Sequence, residues 1–301
     1  MPRKNKEAVD QPGLLEARVS TAPCVPGTRE KVKAWRDGGY KGVTGTTRIL
    51  LNHWFCTDHR LPTGGKFQYH YFQREAVETL IYLYEVANIR RHKALVETFA
   101  TRRDLRLLQY DDFARYCVKM ATGSGKTKVM SLLVAWQFFN AVAEAREDFA
   151  KTFLLVAPNV IVFERLRTDF EGGRIFSADP VIPEELRIYW DFQCYMRGEG
   201  ERAGSLGALY LANIQQFYER QETGPDEPDA LAAVLGSRPP AENLTVEDFD
   251  RRIIGRGGTV AVLNDEAHHT HDEESEWNKF IRYNCCSPET ERTGYRRKGF
   301  R

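Results

Sequence analysis

Two short stretches carry the residues able to do chemistry. The first, MATGSGKT at 120–127, sets two glycines immediately before a lysine and a threonine. Glycine lets the backbone turn so that successive N–H groups face phosphate oxygens. A helix that follows presents its N-terminus to the same anion. Thr122, Gly123, Ser124 and Gly125 would form such a cradle, Lys126 would neutralise the β- and γ-phosphates, and the Thr127 hydroxyl would ligate Mg²⁺. The strict pattern asks for glycine at 120, where this chain has Met120. The second stretch is NDEAHH at 264–269. Asp265 would hold Mg²⁺ through water, and Glu266 would orient or deprotonate an attacking water. His268 is a candidate for passing the nucleotide state to neighbouring segments. Together the two stretches describe ATP handled with Mg²⁺, and Lys126, Asp265 and Glu266 are the catalytic candidates.

Such residues need a scaffold that brings them to one edge. Tyr116–Met120, Phe153–Ala157, Ala208–Ala212 and Val260–Leu263 are compact apolar runs, as expected of parallel strands covered on both faces. The first leads into an expected helix from about Lys126 to Ala145, with Val129, Leu132, Leu133, Trp136 and Phe139 on one side. A second helix is expected over Gln73–Ala87 from its apolar spacing. Alternation of strands and helices predicts a doubly wound α/β domain, which places ligands at the carboxyl ends of its strands. The expected organisation is a Pro-, Gly- and base-rich lead-in over 1–47 with little order, a domain over 48–283 with a loop insertion at about 221–257, and a basic tail over 284–301.

Composition narrows the function classes. Hydrophobic residues make up 42% of the 301, enough to bury a real core, and the net charge of +1 supplies no overall basic field. Nucleic acid would therefore be met locally. MPRKNKEAVD lacks the apolar stretch of a secretory signal, and Val129–Ala143 is too short to span a bilayer, so a cytoplasmic protein with no membrane contact is expected. Six cysteines show no CxxC pair and read as reduced thiols. His53, Cys56 and His59, with Cys24 as a fourth ligand, have irregular spacing for structural zinc. His268, His269 and His271 lack the helical HExxH spacing.

With MATGSGKT followed by DEAH, the chain resembles superfamily 2 helicases and translocases. YFQREAVETL (71–80), LLVAPNVIVFERL (154–166), ALYLANIQQF (208–217) and NDEAHH with the following HDE and WNK are similar to segments of the Res subunit of type III-like restriction enzymes. The resemblance covers about 48–280. It implies a P-loop NTPase fold, the first of two RecA-like lobes, and a hydrolase coupling ATP to movement on duplex DNA. It also implies a modification (methyltransferase) subunit as a partner. Residue by residue it places Gln73 near the adenine, and makes Pro158, Asn159, Asn213 and Gln215 candidate contacts to the nucleic-acid backbone.

The same resemblance implies elements not legible here. Members of this family carry a second lobe with an arginine finger, worth about 10³–10⁵ in turnover. They also carry a strand after DEAH that inserts between the phosphate-loop strand and the DEAH strand. The tail RYNCCSPETERTGYRRKGFR offers no apolar run of strand length. A truncated motor lobe is the first expectation. The alternative is a non-catalytic nucleotide- or DNA-binding module, or the product of a pseudogene.

Overall fold

The computed structural model describes residues 22–61, 64–101, 113–196, 204–213 and 247–265. By internal contacts the chain divides into two compact units, Met1–Gly42 with Glu78–Tyr116, and Val43–Val77 with Cys117–Arg301.

In the first unit, helix α1 (Val25–Asp37) begins with a proline in its first turn and buries Thr28, Val32 and Trp35 on one face. Proline fits there because its missing N–H is one the helix would leave unpaired. Within the expected lead-in over 1–47, Val25–Asp37 is thus an ordered helix. The three inward residues recur at helical spacing and give the segment a core to join. Trp35 donates its indole N–H to the Lys41 carbonyl at 2.8 Å. Glu78, fully buried, accepts from the Arg36 guanidinium and the Tyr40 hydroxyl, so its charge is neutralised where water is absent. Leu83, Ile89 and Phe99 form the apolar centre.

Helix α3 (Tyr71–Ile81) supplies residues to both units and runs into a π-helical turn, Tyr82–Val86, within the span expected as one helix. Helix α4 (His92–Phe99) is the last described helix of the first unit.

The second unit is built on a four-stranded parallel sheet. Numbering in chain order after the short hairpin β1 (His59–Arg60) and β2 (Lys66–Phe67), the strands are β3 (Thr152–Ala157), β4 (Phe192–Tyr195), β5 (Gly207–Asn213) and β6 (Val260–Asn264). Their order is β4-β5-β3-β6, every pair parallel. Strands β3 and β5 are buried along their whole length, which their unbroken apolar runs anticipate. The register sets Ala157 beside Asn213 and Val156 beside Asn264, so three strands end together.

One sheet face packs Leu154, Val156, Ala208, Tyr210 and Ala212 against Ile253 of α8 (Glu247–Arg256), the helix that follows the short α7 (Arg174–Ala178). That helix lies inside the segment expected as a loop insertion over 221–257. Its charged sequence hides the single inward isoleucine. An aromatic cluster lies around Phe153, whose ring is 5.7 Å from Phe192. It includes Phe138 of α5 (Lys126–Ala143), with Trp190 and Phe192 at 5.3 and 5.2 Å. Gly207 makes this possible, since a Cβ there would stand 2.5 Å from both Phe138 and Phe192. Helix α5 is buried on more than the one side expected, because α2 (Gly45–Cys56) packs on it as well. The Asn140 amide donates to Thr47 at 2.9 Å and its carbonyl accepts from Thr44 at 2.6 Å.

Tyr116–Met120, expected as a strand, has no regular secondary structure and no ladder partner among the described residues, and Val118 is exposed. A strand is defined by its neighbours. Apolar composition alone does not supply one. Among the described residues no helix is long and apolar enough to cross a membrane.

Candidate nucleotide site

Gly123 and Gly125 adopt φ of +74° and +79°, the left-handed region that L-residues avoid. The turn is held by Ser124, whose hydroxyl donates to the Ala121 carbonyl at 2.7 Å. Gly125 is the N-cap of α5, and no side chain caps the helix. Its first turn carries Lys126, Thr127 and Lys128 and no acid. Uncapped N–H groups, two left-handed glycines and a positive first turn suit a phosphate chain.

Gln73 lies beneath this loop and is only 3% exposed. Its carbonyl oxygen accepts from the His70 N–H at 2.9 Å, and its amide donates to the Ser124 carbonyl at 2.9 Å. A Cβ on Gly125 would sit 2.4 Å from that amide nitrogen. The residue expected at the adenine is thus spent, in this arrangement, on bracing the phosphate loop. The rings of His70 and Phe72 stack beside it at 5.2 Å, and Tyr71 is exposed.

Asp265 follows β6 at the carboxyl edge of the sheet and is 1% exposed. Its N–H donates to the Val156 carbonyl at 3.1 Å, which ties it to the end of β3. Its Oδ2 accepts from Arg165 at 2.6 Å, while its Oδ1 is buried without a hydrogen-bond partner among the described residues. Carboxylates buried in this way are normally satisfied on both oxygens. A hydrated divalent cation fits the remaining acceptor, and Mg²⁺ on a nucleotide needs only one or two carboxylates besides phosphate oxygens. No group of three His, Cys, Asp or Glu able to hold a metal exists among the described residues.

Arg165 belongs to α6 (Val160–Phe170) and was not singled out by sequence. Phe163, Leu166 and Phe170 mark the helix's buried ridge. Nothing in FERL signals that the arginine beside that ridge reaches a strand end. Asp169, one turn further, is pushed upward by burial, opposed by the charges of Arg165 and Lys128. That shared neighbour brings the start of α5 and Arg165 into one electrostatic environment. Lys128 itself is paired with Asp179.

Of the expected nucleic-acid contacts, Pro158 and Asn159 follow β3 and Asn213 ends β5, on the same sheet edge as Asp265. Asn159 caps α6, its Oδ1 accepting from the Val162 N–H at 2.9 Å. Beyond it Val160 and Ile161 are exposed. Asn213 is buried. Gln215, Glu266 and His268 lie outside the described residues, as do His269 and His271.

The rings of His53 and His59 meet edge-on at 4.5 Å. Burial, and then the charge of His59, push His53 down to about 4. Cys56 is exposed nearby in sequence.

A family model for the Res subunit of type III restriction enzymes matches residues 66–289. Neither a curated protein nor a solved structure matches the chain. The matched span contains the phosphate loop, the parallel sheet and the buried strand-end aspartate, and it covers well over half of the chain. On that evidence the chain belongs to the Res-subunit family of type III restriction enzymes, helicase-like ATPase motors with a P-loop NTPase fold.

Proposed function

We propose that this chain binds Mg-ATP at the loop 122–127 and Asp265, as the nucleotide-binding lobe of a motor that couples hydrolysis to movement on duplex DNA. The observation that carries the reading is the unpartnered Oδ1 of a fully buried aspartate at the strand ends. Lys126 would bind the phosphates and Thr127 would offer its hydroxyl to the metal. Asp265 would accept hydrogen bonds from metal-bound water. Glu266 would orient the attacking water and take its proton. Bound Mg²⁺ would neutralise charge on the phosphate oxygens. The Pro158–Asn159 turn, Asn213 and Gln215 would meet the DNA backbone, and a modification subunit is the expected partner.

Nucleotide binding and hydrolysis by the 301-residue chain, with and without duplex DNA, test this against Lys126→Ala. Loss of a charged contact to phosphate should weaken Mg-ATP binding by about 10- to 100-fold. Equal binding by both chains would overturn the site. Turnover raised by DNA supports a working motor. Mg-ATP binding with no turnover favours the binding-module alternative.

A further inference from the structure

Arg165 is the feature of this edge that the proposed reaction leaves unused. Its guanidinium donates to Asp265 Oδ2 at 2.6 Å, yet its side chain is 56% exposed while that of Asp265 is 1% exposed. The two partners are therefore unequal. Asp265 is fixed by burial and by its own N–H bond to the Val156 carbonyl, and does not depend on Arg165 for its place. Arg165 sits on a flexible stem open to water, so leaving the pair costs it little desolvation. Asp169 lies four residues on along α6, where side chains share a face, and it already feels the charge of Arg165.

We infer that Arg165 is the resident counter-ion of Asp265, and that it gives up the carboxylate when a metal-bound nucleotide is taken up. The inference rests on the reading of Asp265 as the metal carboxylate. A buried carboxylate with no cation would be severely destabilised, and Arg165 removes that penalty while the site is empty of nucleotide. Once a dication must approach, the same positive charge opposes it, and does so twice over because the ion carries two charges. The anchoring of Asp265 through its backbone leaves little positioning benefit to set against that repulsion. Arg165 therefore sets how much Mg²⁺ nucleotide binding requires.

The test is a Mg²⁺ titration of fluorescent ADP binding, run on the wild type, Arg165→Gln, Arg165→Lys and Asp265→Asn. Arg165→Gln should bind at an Mg²⁺ concentration lower by about fivefold or more, a typical size for coupling between linked sites. Its thermal midpoint in chelator should fall. Arg165→Lys, which restores the charge, should return the wild-type metal requirement. An unchanged or higher requirement in Arg165→Gln, with Asp265→Asn impaired, overturns the counter-ion role and leaves the metal reading standing. A wild-type requirement in Asp265→Asn overturns the metal reading and the inference with it. Should Arg165→Gln not fold, the arginine side-chain NMR signal absent from Arg165→Lys gives the second readout. Mg-ADP should shift it in the wild type, and no shift overturns the proposal.

Discussion

The phosphate loop and the strand-end aspartate are built on opposite principles. The loop is a matter of backbone shape: Gly123 and Gly125 in left-handed conformations, and the Gln73 amide braced against the Ser124 carbonyl. The polar side chains of Ser124 and Gln73 are satisfied by the protein itself. Asp265 is a matter of charge: a buried carboxylate satisfied on one oxygen by Arg165 and on the other by nothing among the described residues. The first is tuned to be stable before a ligand arrives, and the second is left incomplete. Shape can be prepared in advance at modest cost, whereas an unpaired acceptor is held in reserve at the expense of the fold.

The sharpest way to break this contrast is Gly125→Ala. At φ +79° an added Cβ meets left-handed strain and the Gln73 amide, so the chain should lose about 2–3 kcal/mol by urea unfolding together with measurable nucleotide binding. Wild-type stability there would mean that the loop is not set by shape. Gln73→Ala comes next. Losing one buried hydrogen bond to Ser124 should cost about 1 kcal/mol and weaken nucleotide binding without abolishing it. If binding is untouched, the brace is irrelevant to the loop.

At the acid end the sign should reverse. Asp265→Asn replaces a half-satisfied buried charge with a neutral amide, so the nucleotide-free chain should melt about 2–4 °C higher even as Mg-nucleotide binding weakens. A lower midpoint would show that Asp265 serves the fold as much as the ligand. The last prediction concerns a region outside the site. His53 sits at about 4 against an ordinary 6.5. The unfolded chain takes up that proton first, so stability should fall as pH drops from about 6.5 towards 4 and be unaffected above that range. His53→Leu should flatten this slope in urea midpoints measured at several pH values, and an unchanged slope would assign it to other groups.

The same contrast explains what could be read from sequence. Gly-Ser-Gly-Lys-Thr was legible because its chemistry is local, β3 and β5 because burial on both faces leaves an unbroken apolar run, and the half-buried β6 because its residues up to Leu263 are apolar without a break. Strand β4 was missed: its four residues FQCY contain a polar position and too few apolar ones to stand out. Tyr116–Met120 looked like a strand by composition, yet composition cannot supply a neighbour to pair with. Helix α8 hides behind its charges because Ile253 alone of its described side chains is buried. Gln73 drew notice for the adenine, and its bracing role follows only from the close approach of Ser124. Arg165 gave no local signal, since its importance comes from Asp265, a hundred positions away in the chain.

Helix α6 has one more property that follows from its length. Asn159 caps it beside the candidate nucleic-acid turn, and Arg165 lies six positions further along, a rise of about 9 Å at helical pitch. So short a span of helix does not bend. Any tilt imposed at the Asn159 end must also move the guanidinium at the other. Phe163, Leu166 and Phe170, seated in the core, act as the pivot. Substitutions at those three buried positions should therefore alter both ends of the rod at once, although none of them touches either ligand's place.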